Sequence, residues 1–217
     1  MKAPACLLRF ELAPQQGHLQ CWAAVAVSLQ RFYASQGERP PVPSQEAFAR
    51  SLLGENCDQV CAPLAALAHA GLLYTESAGP LPPAELRIQL ALGHPVPACM
   101  RHFIGWHLVV VHGIDADGTL TIADPQVGPS RMPYRSFAQA YRRHYAWTHS
   151  YLFAGRATPA HHDAHFLAAY LACTRVPLGA IEAASLRCVL PSQPAATGAA
   201  SLHMVNRGVS CCTAAEK

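Results

Sequence analysis

Residues 13–33 read "APQQGHLQCWAAVAVSLQRFY". One cysteine in this stretch, Cys21, sits where a polar loop gives way to an apolar run. From there Trp22, Val25, Ala26, Leu29, Phe32 and Tyr33 keep the spacing of one helix face. The spacing predicts a helix from about Cys21 to about Ser35, stopped by Gly37 and the "RPPVP" segment. Cys21 is therefore expected at a helix N-terminus, where unpaired N–H groups and the positive end of the helix dipole favour a thiolate. A cysteine in mid-helix would gain neither effect.

A free thiol with a pKa near 8.5 is mostly protonated at neutral pH and needs a base beside it to act as a nucleophile. Residues 105–126, "GWHLVVVHGIDADGTLTIADPQ", offer that base. "HLVVVHGI" and "TLTIAD" are short β-rich runs, and the "DADG" between them makes a hairpin. With the turn centred on Asp115 to Gly118, Ile114 faces Thr119 and, counting back along both strands, Val109 faces Asp124. His107 shares a face with Val109 because side chains alternate. His107 and Asp124 become diagonal neighbours, about 7–8 Å apart at their Cα atoms and within side-chain reach. Asp124 is then placed to orient the ring and stabilise its charged form. His112, five residues on, is expected on the opposite face. A one-residue slip in the loop would invert all of this. Gln15, six positions before Cys21, and the Cys21 backbone N–H are candidate donors to a developing oxyanion, with Gln16 as the competing side chain.

The flanking segments give the fold class. "CLLRFEL" reads as a short strand entering the glutamine-rich loop. Ser44 is an N-cap for a helix over "QEAFARSLLG", closed by Gly54. "PLAALAHAG" is a third helix ended by Gly71, and "PPAELRIQLALG" has prolines at its start and Gly93 at its stop. "PVPACMRHF" joins the two hairpin runs as a strand, "YRSFAQAYRRH" returns to helical spacing, and "WTHSYLFAG" is a closing strand. A mainly helical front half followed by a mainly antiparallel back half argues for an α+β domain.

With 217 residues, 51% of them hydrophobic, the chain suits one domain over residues 1–155 and a C-terminal extension over 156–217. "HHDAHFLAAYLAC" is one further helix in that extension. The Ala-, Ser-, Pro- and Gly-rich remainder lacks periodicity and is expected to be disordered. The charged fraction is 13% and the net charge +3, with fourteen arginines against two lysines. The one basic doublet, Arg142-Arg143, reads as a solvated helix face, so nucleic acid is not expected as a partner. No window approaches the roughly 18 apolar residues of a membrane span. The first apolar run is interrupted by Arg9 and Glu11, unlike a signal peptide. The nine cysteines therefore read as reduced thiols, in a protein that is cytoplasmic or exported without a cleavable signal peptide. Cys57 and Cys61, four apart, would share a helix face with His69 following, but they lack a second close pair. His161, His162 and His165 read as the start of a helix, and Cys211-Cys212 as exposed thiols. No metal or cofactor is expected.

"QQGHLQCWAA" resembles the nucleophile segment of papain-like cysteine peptidases, in which a glutamine precedes a Cys-Trp pair by six positions. "GHPVPACM" followed by "GWHLVVVHGIDADGTLTIADP" resembles the His-strand, turn and Asp-Pro pattern of their compact bacterial relatives. Those relatives include staphopain-type proteases, papain-like effector proteases and the peptidase domains of bacteriocin exporters. The resemblance covers about residues 5–155. It implies a papain-like fold with the nucleophile helix packed on an antiparallel sheet, Cys21 as nucleophile, His107 as base, Asp124 as orienter and Gln15 in the oxyanion hole. The sequence departs from plant and lysosomal relatives in replacing their "GSCW" context with His18-Leu19-Gln20 before Cys21. A peptide or protein substrate is the implied partner. Deamidases, transglutaminases and peptide ligases would use the same residues, and the motif does not separate them from hydrolases. A catalytically inactive binding module is the remaining alternative.

Overall fold

The computed structural model describes residues 5–35, 41–103 and 105–156. Among these, α1 (Cys21–Ala34), α2 (Gln45–Leu53) and α3 (Pro63–His69) lead into strand β2 (Leu72–Ala78) and helix α4 (Pro83–Ala91). Short β1 (Cys6–Leu7) comes before them. After α4 come β3 (Val96–His102), β4 (Gly105–Ile114), β5 (Thr119–Asp124), β6 (Gly128–Pro133), α5 (Tyr134–Ala140) and β7 (Ala146–Arg156). The strands form one antiparallel sheet in the order β2-β7-β3-β4-β5-β6, and β1 pairs with the end of β4.

Helix α1 is the buried axis of the fold. Every residue from Cys21 to Leu29 is buried, because β4 lies on one side of the helix and α2 and α3 on others. The Trp22 indole is fully enclosed; at about 25 cal/mol per Å² over roughly 200 Å², its burial contributes about 5 kcal/mol. The helix limits agree with the apolar spacing. Ser44 caps α2 by accepting from the Ala47 amide at 3.1 Å, and Gly54 (φ +79°) ends it in a conformation glycine adopts freely.

The sheet separates two cores. Leu108 and Val110 of β4 join Trp22, Val25 and Leu29 on the α1 face. Val109, Val111 and Ile114 join Leu86 and Leu90 of α4 and Phe137 of α5 on the other. Val109 and Ile114 lie five apart, an interval that a regular strand would split between faces. A β-bulge between Val111 and Gly113 brings them to the same side.

That bulge decides the hairpin register. At the turn Ile114 pairs with Leu120, not Thr119, and the Asp115 amide donates to the Thr119 carbonyl at 2.8 Å. The loop is thus one residue offset from the sequence expectation. Beyond the bulge the pairing is Val110 with Ala123, the expected register. The two one-residue differences cancel before the strands reach His107 and Asp124. Gly113 sits in the tight part of this arrangement: a Cβ there would stand 2.7 Å from Leu7 Cδ1 and 3.0 Å from Thr121.

Other elements differ from the sequence reading. Strand β1 is only Cys6–Leu7 of the predicted "CLLRFEL" strand. Strand β2 was not foreseen, although it pairs with β7 along its length. Strand β6 contains Pro129 and Pro133 and lies at the sheet edge, where missing N–H groups are tolerated. Helix α5 stops at Ala140, because Arg142 (φ 48°) and Arg143 (φ 73°) turn left-handed. The basic doublet is exposed, as expected, but it forms a turn and not a helix face. Cys57 and Cys61 lie in a non-helical segment, so the predicted shared helix face does not exist.

Candidate active site

Cys21 is the first residue of α1, with Gln20 at the cap position and no side-chain cap. The Gln20 carbonyl accepts from the Ala23 and Ala24 amides, leaving the Cys21 and Trp22 N–H groups at the open end. Burial is the largest influence on the thiol and pushes it up to about 11, helped by the negative charge of Asp124. The amides of Leu108, Trp22 and Cys21 itself pull the other way, without prevailing. The helix start does favour the thiolate, as the sequence suggests, but a dry site outweighs it. Ionisation of this sulfur requires an acceptor for its proton nearby. The Leu108 amide that reaches the sulfur belongs to the residue after His107.

His107 and Asp124 meet at the buried end of the hairpin. The His107 Nε2–H donates to Asp124 Oδ1 at 2.8 Å, with both side chains shielded from solvent. A carboxylate only accepts, so this contact fixes the proton of a neutral ring on Nε2 and leaves Nδ1 as its acceptor. Asp124 Oδ1 also accepts from the Gln126 amide at 2.7 Å and the Val127 amide at 3.3 Å. Its Oδ2 accepts from the Tyr141 hydroxyl at 2.6 Å. Burial alone would raise the carboxyl, yet the donors from His107, Tyr141 and Gln126 hold it below the ordinary carboxylate value. Tyr141, in turn, is pushed far upward, first by burial and then by its bond to the carboxylate. Tyr145 lies against the His107 ring, centroids 6.3 Å apart. His112 stands elsewhere, its Nδ1 3.1 Å from the Leu8 carbonyl and its ring on Phe10.

The loop before Cys21 is tied down by residues 57–59, of which sequence reasoning singled out Cys57 alone, and for its thiol. Asp58 accepts from the Leu19 amide at 2.8 Å and the His18 amide at 3.1 Å. The Trp22 indole donates to the Gln59 carbonyl at 2.8 Å, and buried Gln20 donates to the Cys57 carbonyl at 3.2 Å. Residues 57–59 thus fasten onto residues 18–22 across nearly forty positions of chain, a pairing with no periodic signal. Gln15 stands in the same turn. Its Nε2 donates to the Gly17 and His18 carbonyls at 2.8 and 2.9 Å, and its Oε1 is buried without a partner. Gln16 is exposed and lines a cavity of about 320 Å³ with Glu46, Arg50 and Glu55. Trp106, beside His107, packs partly buried against the α1 core.

Cys57, Cys61 and His69 do not converge. Cys57 sits on Gln20, Cys61 on the Ala62 carbonyl, and the His69 ring pairs with Ser51 at 2.8 Å. Among the described residues no cluster of three or more His, Cys, Asp or Glu side chains could hold a metal, and no helix is long and apolar enough to cross a membrane. His161, His162, His165, Cys211 and Cys212 lie outside the described residues.

No curated protein matches the chain. Eighteen chains of solved structures do. One is a double glycine motif protease from an AMS/PCAT transporter in complex with its leader peptide. It is 19% identical, with a TM-score of 0.47 over 70% of this chain and 95% of its own. A family model described as papain-like cysteine protease AvrRpt2 matches residues 7–142, a span that includes Cys21, His107, Asp124 and Tyr141. With more than half of its length under that model, the chain belongs to the papain-like cysteine proteases.

Proposed function

We propose that the protein hydrolyses peptide bonds through Cys21, His107 and Asp124. The observation that carries this reading is the buried His107 Nε2–Asp124 Oδ1 contact of 2.8 Å. It commits one ring nitrogen and turns the other into a base for the thiol at the start of α1. His107 Nδ1 takes the thiol proton, and Asp124 stabilises the resulting imidazolium. The pair carries no net charge, so it forms in a site too dry for an isolated thiolate. The sulfur attacks the scissile carbonyl, and the Cys21 N–H faces the developing oxyanion. Gln15 can add a second donor only by releasing Gly17 or His18, since both hydrogens of its amide are engaged. The imidazolium then protonates the leaving amine. Water, deprotonated by His107, finally hydrolyses the thioester.

A peptide-library cleavage profile of the wild-type chain beside Cys21→Ala tests this. Cleavage by the wild type and none by Cys21→Ala is expected, with the two chains equally folded. Equal cleavage by both would refute the nucleophile assignment. Adding a primary amine separates hydrolysis from acyl transfer: hydrolysis gives a free carboxylate even with the amine present.

A further inference from the structure

We infer that Tyr141 is a positioning residue of the catalytic machinery, acting on His107 through Asp124; the inference rests on the triad reading above. The Tyr141 hydroxyl donates to Asp124 Oδ2 at 2.6 Å, the length of a strong O–H···O⁻ bond, with phenol and carboxylate both buried. Each carboxylate oxygen thereby has its own role. Oδ1 receives the ring N–H and the two turn amides, and Oδ2 is held by the phenol. Without that phenol, Oδ2 would be a buried acceptor facing, among the described residues, the Arg142 guanidinium at 4.0 Å. The carboxylate would then be free to tilt away from the ring and easier to protonate.

The chain delivers the hydroxyl by an unusual route. Helix α5 ends at Ala140, and Arg142 and Arg143 both adopt positive φ, which non-glycine residues rarely do once, let alone in succession. This turn lets Tyr141 bridge to Tyr145 and stacks its ring edge-on to Phe137 at 5.2 Å. Arg142 folds back to Gln126 Oε1 at 2.9 Å, so the turn is fastened to the loop after Asp124 as well. Backbone strain of this kind is found where a side chain must be aimed.

The test needs no known substrate. Alkylation of Cys21 by iodoacetamide, followed by peptide mapping, reports thiolate formation across pH in wild type, Tyr141→Phe, Asp124→Asn and the double variant. The charged and titratable groups facing Asp124 are His107 from β4, Cys21 from α1, and Tyr141 and Arg142 from the turn after α5. Tyr141→Phe keeps the ring and removes the hydroxyl. It is expected to slow alkylation about ten-fold and to move the acid limb of the pH profile upward, because the carboxylate loses a donor to its ionised form. In the Asp124→Asn background the same substitution should change the rate less than about two-fold, since the charge it serves is gone. A Tyr141→Phe profile equal to wild type, a loss undiminished in that background, or a Tyr141→Phe chain that does not fold would each overturn the inference. His107→Ala, measured beside these, alkylated like wild type across pH would instead overturn the triad reading beneath it.

Discussion

At the scale of single residues, the proposed mechanism makes Cys21 and His107 depend on one another. A thiol pushed up to about 11 by burial is inert at neutral pH unless its proton has somewhere to go. Removing His107, the proposed base, should therefore cost more than removing any other histidine. His107→Ala is expected to lower peptide turnover by about 10²–10⁴-fold, and His112→Ala by only a few-fold, at equal foldedness by circular dichroism. His112 is bound to Leu8 and Phe10 and away from Asp124, so its loss should appear as reduced stability. Equal losses of turnover would mean that the wrong histidine has been assigned as base. Neither effect depends on the identity of the peptide.

At the scale of elements, two loops hold the site and each makes a prediction. Gly17 lies under the Asp58 clamp, and a Cβ there would stand 2.5 Å from Asp58 Oδ1 and 2.7 Å from Gln20 Cδ. Gly17→Ala should push the clamp apart, lower Tm by several degrees and slow Cys21 alkylation; an alanine variant matching wild type in both would show the clamp to be dispensable. The left-handed turn after α5 predicts the opposite sign. A non-glycine residue in this conformation costs about 1–2 kcal/mol, and glycine adds about 0.5–1 kcal/mol of chain entropy to be lost on folding. Arg143→Gly, at an exposed position with φ 73°, should thus raise the urea midpoint slightly. A lower midpoint would mean that the arginine side chain contributes contacts outweighing the strain.

For the molecule as a whole, acid should unfold the protein in two stages. His112 is held below its ordinary 6.5, mainly by burial, so the unfolded chain binds its proton first. That contribution is complete above about 6.5 and is lost as pH falls toward the lower folded value. Asp124 is held below 3.8 by its donors, so its share is complete above 3.8 and is lost below it. Urea midpoints measured from pH 8 to pH 3 should be flat at first, decline below about 6.5 and decline again below about 3.8. His112→Gln should flatten the first decline, and an unchanged first decline in that variant would assign it to other groups. Strand order sets a second global expectation. β7 lies between β2 and β3 and, among the described residues, is the sole sheet partner of β2. A chain ending at His149 should therefore fail to fold, whereas one ending at Pro191 should fold and retain a reactive Cys21. Loss of folding in the longer chain would place essential packing beyond Pro191.

The sequence by itself determined the helix that begins at Cys21, the capped helices after it and the α+β class, because apolar spacing and end residues act within a few positions of chain. It also paired His107 with Asp124, though by way of a turn and a bulge whose offsets cancel, which no local count could anticipate. β2 and β6 escaped notice for related reasons. β2 is specified by its partner β7 across more than seventy residues, and β6 carries prolines that only an edge tolerates. The Asp58 clamp, the commitment of Gln15 to its own loop and the Tyr141 hydroxyl on Asp124 were decided by the tertiary structure alone. Each is a contact between segments distant in sequence or turned by an irregular backbone. Such contacts arise when a buried polar group must find a partner, and where that partner lies depends on how the whole chain packs.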